Sequence, residues 1–246
     1  MGYWLVKVVL TPILRVLFRP KVTGLEHLPS DGGAILATNH TTFLDNFMMP
    51  MVNSRRVTYL AKSDYFNGRG VKGWLQKQFF NGVGMIPLDR SGGEASAAAL
   101  NTGLQVLKDG GLLGIFPEGT RSPDGRLYRG KTGVARMALE AGVPVVPVGL
   151  VGLHAIQPGG GGRPKLGKIE IRIGRPLDFS RYAGMEGDRF VLRSITDEIM
   201  YELMVSSEQE YVDQYAAQAK ADLSDARRAA RVAAAGEAPT PARHSS

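Results

Sequence analysis

A histidine and an aspartate five positions apart are the most chemically informative pair in this sequence. His40 and Asp45 lie in the stretch Asn-His-Thr-Thr-Phe-Leu-Asp, directly after the apolar run 33–38, which predicts a buried strand. On a regular helix five residues rotate by about 140°, so the two side chains would face different directions. They can meet if His40 precedes a helix and Asp45 lies in its first turn. Asp45 would then hold one imidazole nitrogen and leave the other free to deprotonate a hydroxyl.

The same stretch allows a simpler interpretation. Thr42 and Asp45 have the spacing of a helix capping box, in which the carboxylate accepts backbone amide hydrogens. His40 would then be an ordinary turn histidine.

A second polar loop follows the apolar segment 112–116, which also predicts a strand. Its residues supply a carboxylate, an unhindered backbone and a guanidinium, in the order Glu118, Gly119, Thr120 and Arg121. Glycine lets a ligand approach the backbone closely, and arginine matches the geometry of phosphate. The loop therefore has the parts of a phosphate site, although a tight turn with a surface ion pair would use the same residues.

Two more apolar segments carry polar or irregular ends. Residues 84–90 form a short strand that ends in Asp89 and Arg90, and residues 142–150 are apolar and β-branched. The two prolines in the second segment favour an irregular or edge position. Most of its residues otherwise fit plain sheet core.

Taken together, four segments resemble the four motif blocks of the glycerolipid acyltransferase family. They are His40-x4-Asp45 (first block), residues 84–90 (second block), 116–122 (third block) and 143–148 (fourth block). Their order and spacing are most similar to those of the bacterial 1-acyl-sn-glycerol-3-phosphate acyltransferases, and the resemblance covers about residues 20–180. Four blocks in register are much more specific than any one of them.

The resemblance implies a role for each matching residue. His40 would be the general base on a glycerol hydroxyl, and Asp45 its charge partner. The phosphate-bearing acceptor would be bound by residues of the second and third blocks, namely Arg90, Glu118, Gly119, Thr120 and Arg121. The fourth block would line the acyl or donor pocket. Lys62 belongs to none of the four blocks. Its place directly after the predicted strand 57–61 suggests added positive charge for phosphate, with a solvent-facing lysine as the alternative.

The implied reaction moves a fatty acyl group from acyl-CoA or acyl carrier protein to the sn-2 hydroxyl of 1-acyl-sn-glycerol-3-phosphate, giving phosphatidate. A thioester is an activated acyl group, so a positioned base is sufficient and no covalent intermediate is needed. Two alternatives remain at this point. One is an acyltransferase for glycerol-3-phosphate, a lysophospholipid or a glycolipid, and the other is a peripheral lipid-binding protein without turnover.

Composition limits the other possibilities. The 246 residues, with 43% hydrophobic and 22% charged, are typical of one globular domain with extensions. The chain has no cysteine and only four scattered histidines, so we expect no disulfide, no metal and no cofactor other than the acyl donor as co-substrate. A net charge of +7 favours an anionic partner. Nucleic acid is not expected, because basic residues do not alternate with exposed aromatic ones.

The first 20 residues predict an amphipathic helix that docks on an anionic membrane surface. Lys7, Thr11, Arg15 and Arg19 recur every four positions as a polar stripe among apolar residues, and no acidic residue occurs. The uncharged runs are too short to span a bilayer, and Pro12 would kink them. We therefore expect a peripheral protein at the cytoplasmic face of the membrane, with a helix packed on the protein's own core as the alternative. The predicted docking residues are Trp4, Lys7, Arg15, Phe18 and Arg19.

The elements that must position these residues alternate along the chain. Strands are predicted at about 34–38, 57–61, 85–88, 112–116, 145–150 and 169–173, and helices at about 43–52, 71–79, 94–108, 133–141 and 188–204. This rhythm indicates an α/β domain over residues 21–205, with a mostly parallel central sheet flanked by helices, and ligands then bind beyond the carboxyl ends of the strands. Residues 206–246 predict an alanine-rich helix that packs weakly, followed by a disordered tail.

Overall fold

The computed structural model describes residues 2–62, 66–88, 95–158 and 162–236. Within these ranges the strands are β1 Lys21–Thr23, β2 Ala34–Thr38, β3 Val57–Lys62, β4 Met85–Leu88, β5 Leu112–Ile115, β6 Leu127–Tyr128, β7 Val145–Val151, β8 Glu170–Ile173 and β9 Tyr211–Val212. The helices are α1 Gly2–Phe18, α2 Asp45–Val52, α3 Gly70–Gly82, α4 Ala95–Lys108, α5 Gly133–Ala141, α6 Leu153–Ile156, α7 Arg189–Ser207 and α8 Ala216–Gly236. The six strands and five helices expected within residues 21–205 are all present, with ends that agree to within three residues.

Seven strands form one sheet in the order β1-β8-β7-β2-β5-β3-β4. Neighbouring strands run parallel except β7 and β8, which are antiparallel. The predicted mostly parallel sheet with flanking helices is therefore confirmed. The short strands β6 and β9 pair separately and in parallel.

Residues of β2 show why both faces of the sheet are covered. All five residues of this strand are buried. Successive side chains of a strand point to opposite faces, so Ala34 and Leu36 belong to one core layer and Ile35 and Ala37 to the other. The first layer contains buried residues of α1, α2 and α3, and the second contains those of α4, α5 and α7.

The fourth block forms β7, which lies inside the sheet between β2 and β8. Of the positions considered for this segment, the structure shows sheet core with a local irregularity at a proline, and not an edge. Pro147 is tolerated because pairing between β7 and the chain after β8 is interrupted beside it: Val148 pairs with Ile173, and Val145 next pairs with Leu177. The carbonyl of Pro147 accepts the amide hydrogen of Gly174 at 2.8 Å in this gap.

Helix α1 is apolar on both of its long sides. Tyr3, Leu14 and Phe18 are buried, with Leu14 and Phe18 in the core layer shared by α2 and α3. Phe18, predicted to dock on a membrane, is only 5% exposed and packs inside the protein instead. The opposite side of α1 carries exposed Trp4 and a set of exposed aliphatic residues, Val8, Val9, Ile13, Val16 and Leu17. None of the helices in the described ranges has both the length and the apolar character that a bilayer span requires.

The segment after α7 is held more firmly than its composition suggested. Strand β9 pairs with β6 in the loop region that follows the third block, and the first turns of α8 bury Ala216 and Ala219 against Tyr128. The expectation of a weakly packed helix holds only for the later turns of α8, which are exposed. Residues 237–246, where we expected a disordered tail, lie outside the described residues.

Candidate active site

Two strands bring the first and third blocks together at the carboxyl edge of the sheet. Strands β2 and β5 are parallel neighbours, with Ala37 opposite Ile115. His40 and Glu118 each lie three residues beyond this pair, so they reach the same level of the edge. The convergence expected from the sequence is therefore a direct result of strand register.

The imidazole of His40 is oriented by Asp45, as the spacing predicted. Asp45 is the first residue of α2, and its Oδ2 lies 2.9 Å from Nδ1 of His40. The Asp45 carboxylate is completely buried, whereas the His40 side chain is 14% exposed. When Nδ1 donates its hydrogen to the carboxylate, Nε2 keeps a lone pair and is the nitrogen that can accept a proton.

Asp45 also closes the turn between β2 and α2. Its Oδ2 accepts the amide hydrogens of Thr41 at 2.5 Å and Thr42 at 2.8 Å, and its Oδ1 accepts the Thr42 hydroxyl at 2.8 Å. The same carboxylate thus makes the backbone contacts of the capping interpretation and the imidazole contact that the base interpretation requires. The cap fixes the carboxylate, and the carboxylate fixes the imidazole.

An aromatic stack supports the other side of the imidazole. The ring of Phe116 lies on His40 with centroids 3.8 Å apart and planes inclined by 14°. Tyr59 of β3 stacks behind Phe116 at 5.4 Å. Hydrogen bonding and stacking together hold the histidine in one rotamer, which a base needs if it is to meet a hydroxyl in a fixed geometry.

The third block also holds the main chain of His40. One oxygen of Glu118 accepts the His40 amide hydrogen at 2.9 Å, the other accepts the Tyr128 amide hydrogen at 3.0 Å, and the Ser122 amide donates to the His40 carbonyl at 2.6 Å. Glu118 is only 1% exposed. Both oxygens of Glu118 accept backbone amide hydrogens, so this carboxyl group holds the main chain of His40 in place; its predicted contact with the acceptor stays a prediction.

Burial also changes the acidity of Glu118. It raises the pKa of this carboxyl to about 8, with a further contribution from the charge of Asp45, although the two amide hydrogen bonds and Lys220 act in the opposite direction.

Asn39 links the histidine to the fourth block. Its side-chain amide donates to the carbonyl of Leu150 at 3.0 Å and accepts the Leu150 amide hydrogen at 2.8 Å. This pair of bonds attaches the end of β2 to the end of β7. Asn39 and His40 therefore connect the third block with the end of β7, the strand that contains most of the fourth block.

Cationic residues surround the glycine turn of the third block. Gly119 has a φ of +73°, a conformation that favours glycine, and its amide closes the turn on the carbonyl of Phe116 at 2.9 Å. The side chain of Lys131 lies above it, with Nζ 3.2 Å from the position that a Cβ on Gly119 would occupy. Arg121 is half-buried at the same turn, as is Thr120, whose hydroxyl oxygen accepts a hydrogen bond from Lys220 at 2.7 Å.

The remaining predicted residues stay untested. Arg90 of the second block lies outside the described residues. Lys62 is the last residue of β3, at the same edge of the sheet, and its side chain is likewise not among those described. Trp4, Arg15 and Arg19 are exposed on or just after α1. Lys7 is half-buried and donates to the carbonyl of Asn53.

Sequence reasoning missed several residues of this site. Asn39 and Ser122 stood beside predicted residues. The only signal for Asn39 was a polar side chain at the end of a strand, and Ser122 acts through its backbone amide. Lys220 and Gln209 come from the C-terminal segment. The side chain of Gln209 donates from Nε2 to the carbonyl of Gly125 and accepts a hydrogen bond from Asn39 at 2.7 Å. No local pattern connects that segment to a loop about 100 residues earlier. Among the described residues no group of three or more acidic or histidine side chains is arranged to hold a metal ion.

Comparisons with known proteins agree with this geometry. The family model described as acyltransferase matches residues 19–151. A chloroplastic 1-acyl-sn-glycerol-3-phosphate acyltransferase of Arabidopsis thaliana is 32% identical over 166 residues, which are 67% of this chain and 45% of that protein. The enzyme of the same name from Bacillus subtilis is 31% identical over 165 residues, 66% of this chain and 76% of that protein.

A solved structure has the same fold. The crystal structure of the 1-acyl-sn-glycerophosphate acyltransferase of Thermotoga maritima superposes with a TM-score of 0.58 at 24% identity, covering 78% of this chain and 74% of that one. The chain spans less than half the length of the plant relative and about three quarters of the two bacterial proteins.

Proposed function

This chain belongs to the acyltransferase family, and from that membership we propose that it acylates the sn-2 hydroxyl of 1-acyl-sn-glycerol-3-phosphate to give phosphatidate. The acyl donor is a thioester, acyl-CoA or acyl carrier protein. One observation carries the proposal: the imidazole of His40 has Nδ1 on the buried Asp45 carboxylate at 2.9 Å and lies beside a cation-rich glycine turn. The relatives with the same printed name support the choice of acceptor.

The chemistry requires one base and one anion-binding surface. Nε2 of His40 takes the proton from the acceptor hydroxyl as the oxygen attacks the thioester carbonyl, and the carbon–sulfur bond then breaks to release the thiolate. The proton held by His40 goes to the departing thiolate or to solvent, and this step returns the neutral imidazole. The imidazolium that forms transiently is stabilised by Asp45, whose carboxylate cannot turn away because Thr41 and Thr42 hold it.

The phosphate of the acceptor is assigned to the turn around Gly119. Arg121 lies at this turn, and guanidinium groups bind phosphate through paired hydrogen bonds. A phosphate held here orients the glycerol so that its free hydroxyl reaches His40, which lies next to the same block. Orientation of this kind is a large part of the rate gain in a reaction between two bound substrates.

We also propose that α1 and α3 together dock the protein peripherally on an anionic membrane surface at the cytoplasmic face. The two helices pack against each other. Helix α3 also carries exposed apolar side chains, namely Val71, Trp74, Leu75 and Phe79. Exposed basic residues of both helices, Arg15, Lys72 and Lys77, supply attraction to anionic lipids. Such docking places the enzyme where its lipid acceptor is dissolved.

An acceptor panel tests the function. Purified protein is incubated with one labelled acyl-CoA and, in turn, 1-acyl-sn-glycerol-3-phosphate, glycerol-3-phosphate, lysophosphatidylinositol or water. The first acceptor should give by far the most product, and His40→Ala should lower its turnover by about 10²-fold or more while far-UV circular dichroism stays unchanged. Strong product with another acceptor reassigns the substrate, and full activity of the His40→Ala protein would refute the base assignment.

A further inference from the structure

The C-terminal segment returns to the candidate active site after α7, and three of its residues form hydrogen bonds there. Gln209 bridges the side chain of Asn39 and the carbonyl of Gly125, at 2.7 and 2.5 Å. The backbone carbonyls of Glu210 and Gln214 accept the amide hydrogens of Leu127 and Arg129. These bonds fix the start of α8 relative to the third block.

From this position α8 directs one lysine at the glycine turn. The ammonium group of Lys220 donates to the Thr120 hydroxyl at 2.7 Å, although the two residues are 100 positions apart in sequence. Burial lowers the pKa of Lys220, the charge of Arg121 lowers it further, and Glu118 raises it. Lys220 thus lies close to both charged members of the third block, and it lies outside residues 19–151 that match the family model.

The charges around this turn are unbalanced. Lys131 and Lys220 form no ion pair with any residue of the described ranges. Glu118, the nearby carboxylate, is occupied by two backbone amides and is buried. Glu118 attracts Lys220 from inside the protein, whereas Arg121 repels it. A bound dianion would add negative charge beside these cations.

Resting on the proposed function, we propose that Lys220 of α8 binds a phosphate monoester of a substrate together with Arg121 and Lys131. Lys131 lies against Gly119, Lys220 donates to Thr120, and Arg121 is the next residue of the same turn. Gly119 itself carries no side chain that would block the anion. A phosphate bound there displaces no existing ion pair of Lys220. The ammonium group donates to the phosphate in place of the Thr120 hydroxyl or in addition to it. The C-terminal segment is then part of the substrate site.

Kinetics of three variants test this assignment. Lys220→Met keeps the aliphatic stem and removes the charge, Lys220→Arg keeps the charge, and Arg227→Ala removes an exposed charge two turns further along α8. Loss of one charged hydrogen bond at a partly exposed site should raise one KM by about five- to tenfold in Lys220→Met, with kcat nearly unchanged. Lys220→Arg should recover most of that loss, and Arg227→Ala should match the original protein.

The substrate whose KM changes identifies the phosphate. A rise for 1-acyl-sn-glycerol-3-phosphate assigns it to the acceptor, and a rise for acyl-CoA that disappears with a donor lacking the 3′-phosphate assigns it to the donor. Unchanged values for both substrates, or equal losses in the Met and Arg variants, overturn the proposal. If the original protein transfers no acyl group at all, the proposed function fails separately. A thermal unfolding assay with inorganic phosphate then still tests the role of Lys220. Phosphate should stabilise the original protein, and it should stabilise Lys220→Met less.

Discussion

Replacing Asp45 by asparagine separates the charge of this residue from its hydrogen bonds. Oδ2 of Asp45 accepts three donors, from His40, Thr41 and Thr42, whereas Oδ1 accepts only the Thr42 hydroxyl. An asparagine must keep its oxygen at the Oδ2 position, because turning its amide there would leave two buried backbone donors without acceptors, at about 1–3 kcal/mol each. The Thr42 hydroxyl can rotate to accept from the new amide. The imidazole therefore keeps its acceptor and its tautomer.

The expected loss of activity follows from the missing charge. Two unit charges about 4 Å apart attract by ~4 kcal/mol in an effective dielectric of about 20. The imidazole carries only part of a charge in the transition state, so we take about half of this value, ~2 kcal/mol, which lowers kcat by about 30-fold. The free energy of unfolding should change by less than ~1 kcal/mol, since every hydrogen bond is retained.

Saturating acyl-transfer kinetics and urea unfolding measure the two effects. Asp45→Ala is the matched control, because it removes the acceptor as well as the charge and should destabilise the protein by at least ~2 kcal/mol. An asparagine variant as slow as His40→Ala would mean that its amide has turned toward the imidazole and imposed the wrong tautomer, which contradicts the reasoning. A variant as fast as the original protein would show that the charge has no role.

Three more predictions concern other parts of the structure. The pKa of Glu118 is raised to about 8 from an ordinary 4.5, so the free energy of unfolding should decrease as pH rises between these two values. Urea titrations at several pH values should show that Glu118→Gln lacks this decrease. Gly119→Ala should lower kcat/KM more than Gly32→Ala, because both glycines have a positive φ but only a Cβ on Gly119 would meet a side chain, with Cε of Lys131 at 3.0 Å. Equal effects of the two substitutions would contradict this. Val16→Glu, at a 70% exposed position of α1, should weaken sedimentation with anionic vesicles without loss of stability, whereas Phe190→Glu on α7 should leave sedimentation unchanged. Unchanged sedimentation of the Val16→Glu protein would place the membrane-binding surface elsewhere.

The sequence predicted well what depends on local spacing and strand register. The contact between His40 and Asp45 followed from five residues of separation plus one turn at the end of β2. The approach of Glu118 to the same edge followed from the rule that parallel strands gather their carboxyl ends. The position of Pro147 was harder, because its tolerance inside the sheet depends on where the chain after β8 leaves β7.

Contacts between distant parts of the chain were not predictable in this way. Hydrogen bonds from the C-terminal segment to the site join residues 100 and 170 positions apart, and neither end carries a periodic pattern. The burial of Glu118 and its bonds to backbone amides were not expected, because a carboxylate in a polar loop suggests contact with a ligand, whereas burial is a property of the folded core. Phe18 was assigned to the membrane because an amphipathic pattern marks an apolar side without stating what covers it.

The third block holds both the backbone amide and the backbone carbonyl of His40, and this has a consequence for protein engineering. The amide bonds to Glu118 and the carbonyl to Ser122, so any exchange of residues 116–122 for the corresponding loop of a relative will also reset the alignment of the base. Chimaeras designed to alter the choice of acceptor should therefore show linked changes in turnover. A transplant that keeps Glu118, Ser122 and the spacing between them is the one expected to change selectivity alone.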